Sequence, residues 1–258
     1  MMRRRYLEPL SPLAPISRRL AQGAVLLAII SVAATRFGGI PYKNGLFLLG
    51  LAILLAVLAM VAGFGAFLKI WRTGAPGVGL ATKAMLLAVL VLIWPGYLAV
   101  VAASLPVLHD VTTDLADPPS FSRSRAALDA RQGVLPAEFD RQNTPDQGED
   151  YNDIKTITLE LSPDEVLLLA QRAASNLGWQ VIDTASPSGR VNTGRIDAIA
   201  RSLLFRFPDD ITIRIRAGAG DTRVDVRSVS RVGRHDFGSN ARNIRDFALE
   251  IVTLANAL

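Results

Sequence analysis

The 258-residue chain contains no cysteine, only two histidines, and only four lysines, at positions 43, 69, 83 and 155, against 24 arginines. The missing cysteine excludes disulfides, thiolate metal sites and a cysteine nucleophile, and leaves the compartment open. A general preference for arginine explains the scarcity of lysine as well as bidentate recognition does, so the arginine count alone assigns no ligand. Also absent are a phosphate-cradling glycine loop, a dinucleotide fingerprint and a Gly-x-Ser-x-Gly nucleophile elbow. No cofactor is expected.

What the chain does have first is apolar length. Residues 46–68 and 84–105 form runs of 23 and 22 residues without a charge, each longer than the ~20 needed to cross the hydrocarbon of a bilayer. A shorter run, residues 20–35, reaches the same length if it continues to about 40 with Arg36 snorkelling to the headgroups. Three transmembrane helices are therefore expected, at about 20–40, 46–68 and 84–105. A cleaved signal sequence ending near Ala33-Ala34 is the alternative for the first. The run centres hold no Asp, Glu, Lys, Arg or His, which argues against an ion pump, proton relay or charged-substrate transporter. Small residues Ala52, Ala56, Ala59, Gly63 and Ala66 recur at helical spacing and suit close helix packing. Residues 1–108 read as a membrane anchor.

Cations set its expected orientation. Arg3, Arg4, Arg5, Arg18 and Arg19 precede the first span and Lys69, Arg72 and Lys83 lie between the second and third, whereas Arg36 and Lys43 lie between the first and second. Eight against two puts the amino terminus in the cytoplasm, and three spans then deliver the rest to the other side, the periplasm of a bacterium. The whole anchor carries ten basic residues and one acidic one, while residues 109–258 carry 18 basic and 22 acidic. The high isoelectric point thus belongs to the anchor and is no argument for nucleic acid.

Residues 109–153 are polar and turn-rich and read as a proline-containing tether. Its His109, Asp110, Asp114 and Asp117 have neither calcium-loop nor zinc-ligand spacing, so no metal site is expected. The tether's acidity leaves open whether it covers a basic face of the domain beyond. Residues 154–258 read as an α+β domain of order β-α-β-β-β-β-α, an antiparallel sheet with helices on one face. Strands are expected at 155–161, 179–184 and 195–204. A capping box, Ser162-Pro163-Asp164-Glu165, opens a helix whose apolar stripe runs through Val166, Leu169, Ala170, Ala173 and Leu177 to a stop at Gly178. Ile211, Ile213 and Ile215 alternate with Thr212, Arg214 and Arg216, and Val224 and Val226 with Arg223, Asp225 and Arg227, across a 217–221 turn whose glycines suit positive φ. This hairpin has one aliphatic and one charged face, and its bland reading is a solvated salt-bridge ladder. Ser239 or Asn240 caps a last helix with Ile244, Phe247, Ala248, Ile251 and Leu254 on one side.

The sharper reading is anion capture. The amino terminus of the last helix favours negative charge, and Arg231, Arg234, Arg242 and Arg245 cluster in sequence near it. Candidate ligand-binding residues are Arg214, Arg227, Arg231, Arg234, Ser239, Asn240 and Arg242, for a lipid headgroup or another anionic envelope ligand, with an envelope protein as the other partner class. No catalytic residue is assigned. Ser239, His235 and Asp236 crowd one turn and cannot supply triad geometry. The alternative function is an envelope hydrolase or transferase built on Asp209 and Asp210, but neighbours on a strand point to opposite faces.

The stretch HDVTTDLADPPSF, the Asp209-Asp210 pair and above all TRVDVRSVSRVGRHDFGSNARNIRDF resemble the bacterial and plastid family of domain of unknown function 1499, over about residues 107–257. The resemblance implies signature positions at Asp210, Arg214, Asp225, Arg227, Ser228, Ser230, Arg231, Gly233, Asp236, Gly238, Asn240 and Arg242. It implies a domain often paired with amino-terminal membrane spans, and no activity. His235 stands where the family pattern suggests another polar residue.

Overall fold

The computed structural model describes residues 11–140, 144–187 and 193–258. Arg3, Arg4 and Arg5, which contribute to the orientation count, lie outside them. The chain divides into two compact units, one comprising Met1–Val100 with Leu203–Arg206, the other Val101–Ser202 with Phe207–Leu258.

The first unit is built on three helices, α1 (Leu13–Arg36), α2 (Tyr42–Thr73) and α3 (Val78–Ser104), each long and apolar enough to cross a membrane. α1 begins seven residues before the expected start at 20. The reason is packing: Ala14, Ser17 and Ala21 continue the buried face amino-terminally, and the Ser17 hydroxyl donates to Ala59 O at 2.8 Å. The α2 small-residue stripe, Ala52, Ala56, Ala59, Gly63 and Ala66, is buried as its spacing implied; Ala56 and Ala59 cluster with Ala21, Ala24, Ala84 and Ala88, and Ala66 with Ala14 and Ala81. The large side chains, Phe47, Leu54, Phe64, Leu90 and Ile93 among them, point outward. Pro95 lies inside α3 without ending it.

The second unit is a mixed α+β domain. Its six-stranded antiparallel sheet has β1 (Asp110–Thr112), β2 (Ile157–Leu159), β3 (Gln180–Ala185), β4 (Thr193–Arg201), β5 (Pro208–Ala217) and β6 (Thr222–Ser230). The order is β1-β6-β5-β4-β3, with β2 also paired to β6. From β2 onward the sequence β2, α6 (Pro163–Asn176), β3, β4, β5, β6, α7 (Ser239–Ala255) reproduces the expected order. The Ser162/Glu165 capping box forms and Gly178, at φ 72°, ends the following turn. Ile196, Ile211, Ile213, Ile215, Val224 and Val226 on one sheet face meet Val166, Leu169, Ala170 and Ala173 of α6 and Ile244, Phe247 and Ile251 of α7. Trp179 stacks on Phe247 with ring centroids 5.6 Å apart.

Three expectations are corrected. Residues 109–153, read as a tether, belong to the folded domain, since they supply β1 and the short helices α4 (Arg125–Ala130) and α5 (Thr144–Asp150). Gln147 explains why this polar stretch orders: its side-chain amide accepts from Thr112 N at 3.1 Å and donates to Thr112 O at 2.6 Å, satisfying the strand edge as a neighbouring strand would. The third expected strand ends at Arg201 rather than at 204, because Ser202 N donates to Phe207 O and Phe207 N to Ser202 Oγ, closing a turn. Finally, neither Gly218 nor Gly220 has positive φ. A Cβ at 218 would meet the Asp221 carboxylate, a flexible side-chain end that can turn aside, so the turn does not depend on glycine conformational freedom at these two positions.

Candidate functional site

Strand alternation puts Asp197, Asp210, Thr212, Arg214, Arg216, Asp225 and Arg227 on the sheet face opposite α6 and α7. This face is not the solvated ladder the hairpin alone suggests, because residues 110–137 lie over it and bring acids and an arginine of their own. Asp110 accepts from Arg227 through both oxygens, at 2.9 and 2.6 Å. Asp225, fully buried, accepts from Arg214 Nη2 at 3.0 Å and Arg216 Nη2 at 2.7 Å, and from Thr156 Oγ1 at 2.6 Å. The same two arginines reach Asp114 and Asp117 across the overlying loop. Asp114 Oδ1 also takes the Ala116 and Asp117 amides, fixing the loop as an Asx turn.

At the other end of this face Arg131 is wholly buried. Its Nε donates to Asp210 Oδ1 at 2.9 Å, and its Nη2 lies 3.5 Å from Asp197 Oδ2. Arg231 completes the cluster with a two-pronged contact to Asp210 at 2.6 and 2.7 Å. Arg131 and Arg227 both lie over the Phe121 ring, at 5.1 and 5.2 Å from its centroid. Two antagonistic effects set the carboxyl pKa values. Burial outweighs the arginine partners at Asp110 and Asp197 and raises both. At Asp114 the burial penalty is overcome by the Asp117 amide and by Arg216 and Arg214, so its pKa falls.

On the helix-facing side the core turns polar near α7. Asp209, next in sequence to Asp210 but on the opposite face, accepts from Ser230 Oγ at 2.7 Å, Asn243 Nδ2 at 3.2 Å and Ser239 Oγ at 3.3 Å. Burial pushes its pKa up to about 6, against these hydrogen bonds. Asn240 accepts from Ser228 Oγ and donates to His109 O and Ser230 Oγ. The helix cap is neither Ser239 nor Asn240. Gly238 occupies that position at φ 74°, and the Asp236 carboxylate accepts from Gly238 N and Asn240 N, both at 2.9 Å. An internal carboxylate thus meets the positive end of α7.

The seven sequence candidates therefore separate. Arg214, Arg227 and Arg231 hold carboxylates of the domain, and Ser239 and Asn240 belong to the Asp209 network. Arg245, also counted near the helix, pairs with Asp153. Arg234 and Arg242 are exposed, and among the described residues neither forms an ion pair. They flank the 235–238 turn, where His235 Nδ1 accepts from Phe237 N, which leaves the proton on Nε2 to donate to Ala102 O of α3 at 3.3 Å. Sequence reasoning missed Arg131, Asp110 and Asp197. Arg131 carried no signal, since it closes a six-residue helix in a turn-rich stretch; Asp110 was legible only as acidity beside an arginine-rich ribbon.

The chain thus joins three helices long and apolar enough to cross a membrane to an α+β domain whose charged sheet face is overlaid by residues 110–137. The family model described as "Protein of unknown function (DUF1499)" matches residues 110–251, more than half of the chain, and the chain belongs to that family. The matched region begins at β1, in agreement with the tether being part of the fold. No curated protein and no solved structure matches the chain. The positions implied by the family resemblance are architectural with one charged exception. Asp210, Arg214, Asp225, Arg227, Ser228, Ser230, Arg231, Asp236 and Asn240 all bond within the domain, and Gly233 and Gly238 have positive φ. Arg242 is the exception.

Proposed function

We propose that this is a bacterial inner-membrane protein whose three helices anchor an interaction module on the periplasmic side, and that the module binds an anionic envelope ligand through Arg234 and Arg242. The cation asymmetry around the spans supports the orientation: Lys69, Arg72 and Lys83 lie about the α2–α3 connection, against Arg36 and Lys43 about the α1–α2 connection. The observation that carries the ligand reading is the contrast among arginines. Of the candidates, Arg214, Arg227 and Arg231 are neutralised by the domain's own carboxylates, whereas Arg234 and Arg242 stand exposed on either side of the α7 start. Long-range attraction to an anion needs cations that are not already spent.

A second reading, an envelope hydrolase or transferase, draws on Asp209, a buried carboxyl with pKa raised to about 6. Against it, Asp209 and Asp210 face opposite sides of the sheet and bind different partners. A cavity of about 160 Å³ runs past Trp179, Ala200 and Asn243, and one of about 490 Å³ past Asp114, Arg216 and Arg223; Asp209 lines neither.

The test is titration of the full chain in zwitterionic nanodiscs with inorganic phosphate and a phosphorylated sugar, beside nanodiscs containing phosphatidylglycerol, for wild type and Arg234→Ala/Arg242→Ala. Saturable, salt-sensitive binding lost in the double variant is the expected result. Binding unchanged in the variant, or none to any of the three anions, rejects the reading. Turnover of an envelope ester abolished by Asp209→Asn would favour the enzyme instead.

A further inference from the structure

We infer that the β4–β5 turn, residues 202–207, is a second membrane contact that places Leu203 and Leu204 at the boundary between headgroups and acyl chains. The inference rests on the membrane reading above and adds a surface that the three helices do not supply.

Composition is the first observation. The turn reads Ser-Leu-Leu-Phe-Arg-Phe, four apolar residues in six, where a turn in water favours Gly, Pro, Asn, Asp and Ser. The β5–β6 hairpin turn of the same sheet obeys that rule, with Gly218-Ala219-Gly220-Asp221. The apolar turn is also firmly built. Ser202 N donates to Phe207 O at 3.0 Å, Phe207 N to Ser202 Oγ at 2.9 Å, and Arg206 takes φ 53°. In this fixed frame Phe205 is buried and Leu203 is 73% exposed. The exposure is thus imposed by the turn's geometry.

Position is the second observation. β4 ends at Arg201 opposite Pro208, Pro208 O accepts from Arg231 N, and Ser230 N donates to His109 O. These bonds put the β4–β5 turn at the end of the sheet where the chain arrives from α3. The β5–β6 turn is at the far end. The residues of the turn, Leu203–Arg206, group with the apolar helices rather than with the sheet. Arg206 follows the leucines by two residues, an arrangement in which a cationic side chain reaches headgroups while neighbouring apolar groups enter the acyl boundary.

The absence of cysteine makes the test direct. Leu203→Cys, Leu90→Cys on the outer face of α3 and Gly220→Cys in the far turn each give one spin-labelling site in an otherwise cysteine-free chain. Each full-length protein is reconstituted into vesicles of phosphatidylcholine and phosphatidylglycerol, and the label's collisions with oxygen and with a water-soluble nickel chelate are compared. The expected result is an oxygen preference at 203 shifted well above that at 220 and below that at 90. A label at 203 that matches 220 while 90 reports lipid overturns the inference and leaves the anchor intact. A label at 90 that also reports water overturns the membrane reading and this inference with it.

Discussion

Arg131 Nε donates to Asp210 Oδ1 at 2.9 Å, and both side chains are closed to solvent, Arg131 at 0% and Asp210 at 1%. The pair joins Arg131 to Asp210, 79 residues further on and near the start of β5, so the overlying 110–137 stretch is clamped by charge. Removing one member of a buried ion pair leaves the other without compensation, at a cost of about 3–5 kcal/mol. Arg131→Met keeps the aliphatic stem and discards the charge, leaving Asp197 without its buried cation and Asp210 with Arg231 alone. The expected outcome is a destabilisation of about that size, read as a large drop in thermal midpoint of the full chain in detergent. A drop equal to that of an exposed substitution such as Arg172→Met would refute the clamp.

Asp236 supplies the α7 cap that Ser239 and Asn240 do not. Asp236→Ala removes two acceptors from the first turn, and lost caps cost about 0.5–2 kcal/mol. The first turn of α7 should exchange its amide protons faster in Asp236→Ala, with the last turn unchanged. Hydrogen–deuterium exchange by mass spectrometry distinguishes this from Ser239→Ala, which should leave the first turn nearly as protected as in wild type.

The pH dependence of the domain should carry the mark of Asp209. Its pKa is raised from an ordinary 3.8 to about 6 in the folded protein, with burial the leading cause. The folded state therefore binds more protons than the unfolded state between these values. Stability from this group is fully present below about pH 4 and is lost as pH rises through about 6. In Asp209→Asn the gain in thermal midpoint between pH 7 and pH 5 should shrink relative to wild type. Asp110 and Asp197, also raised, act in the same direction, while Asp114, lowered, acts against them, and all three are common to both proteins. An identical pH profile in both proteins contradicts the assignment.

How much of this was legible in the sequence depends on range. The α6 capping box, the 211–227 alternation and the Ala52–Ala66 stripe are local patterns, and each is realised because one periodicity decides it. β1 is three residues long and includes Asp110, so no local alternation could reveal it; its strand character comes from β6 and from the Gln147 amide. The candidate arginines show the same division. Sequence locates Arg214 and Arg227 on the charged face and Arg231 near the start of the last helix, but whether each is available to a ligand depends on acids up to 117 residues away. Only the tertiary structure separates these neutralised cations from Arg234 and Arg242.

Gly63 tests the helical unit. A Cβ at this position would lie 2.9 Å from Met85 Cγ and 3.0 Å from Ser17 Oγ, so α1, α2 and α3 all approach it closely. Two effects compete in Gly63→Ala. Alanine gains up to about 1 kcal/mol of helix propensity, while the methyl must displace a flexible methionine end and a serine hydroxyl already bonded to Ala59 O. Overpacking costs about 1–3 kcal/mol, and Met85 can yield, so the alanine variant should be close to neutral. Gly63→Leu adds three more carbons against the same atoms, and its propensity gain is no larger. The leucine variant should lose the packed helical unit at a clearly lower detergent challenge, measured by sodium dodecyl sulfate titration of the full chain. Gly50, beside which a Cβ meets nothing within 4 Å, provides the control, and Gly50→Leu, with the propensity gain and no clash, should resist detergent at least as well as wild type.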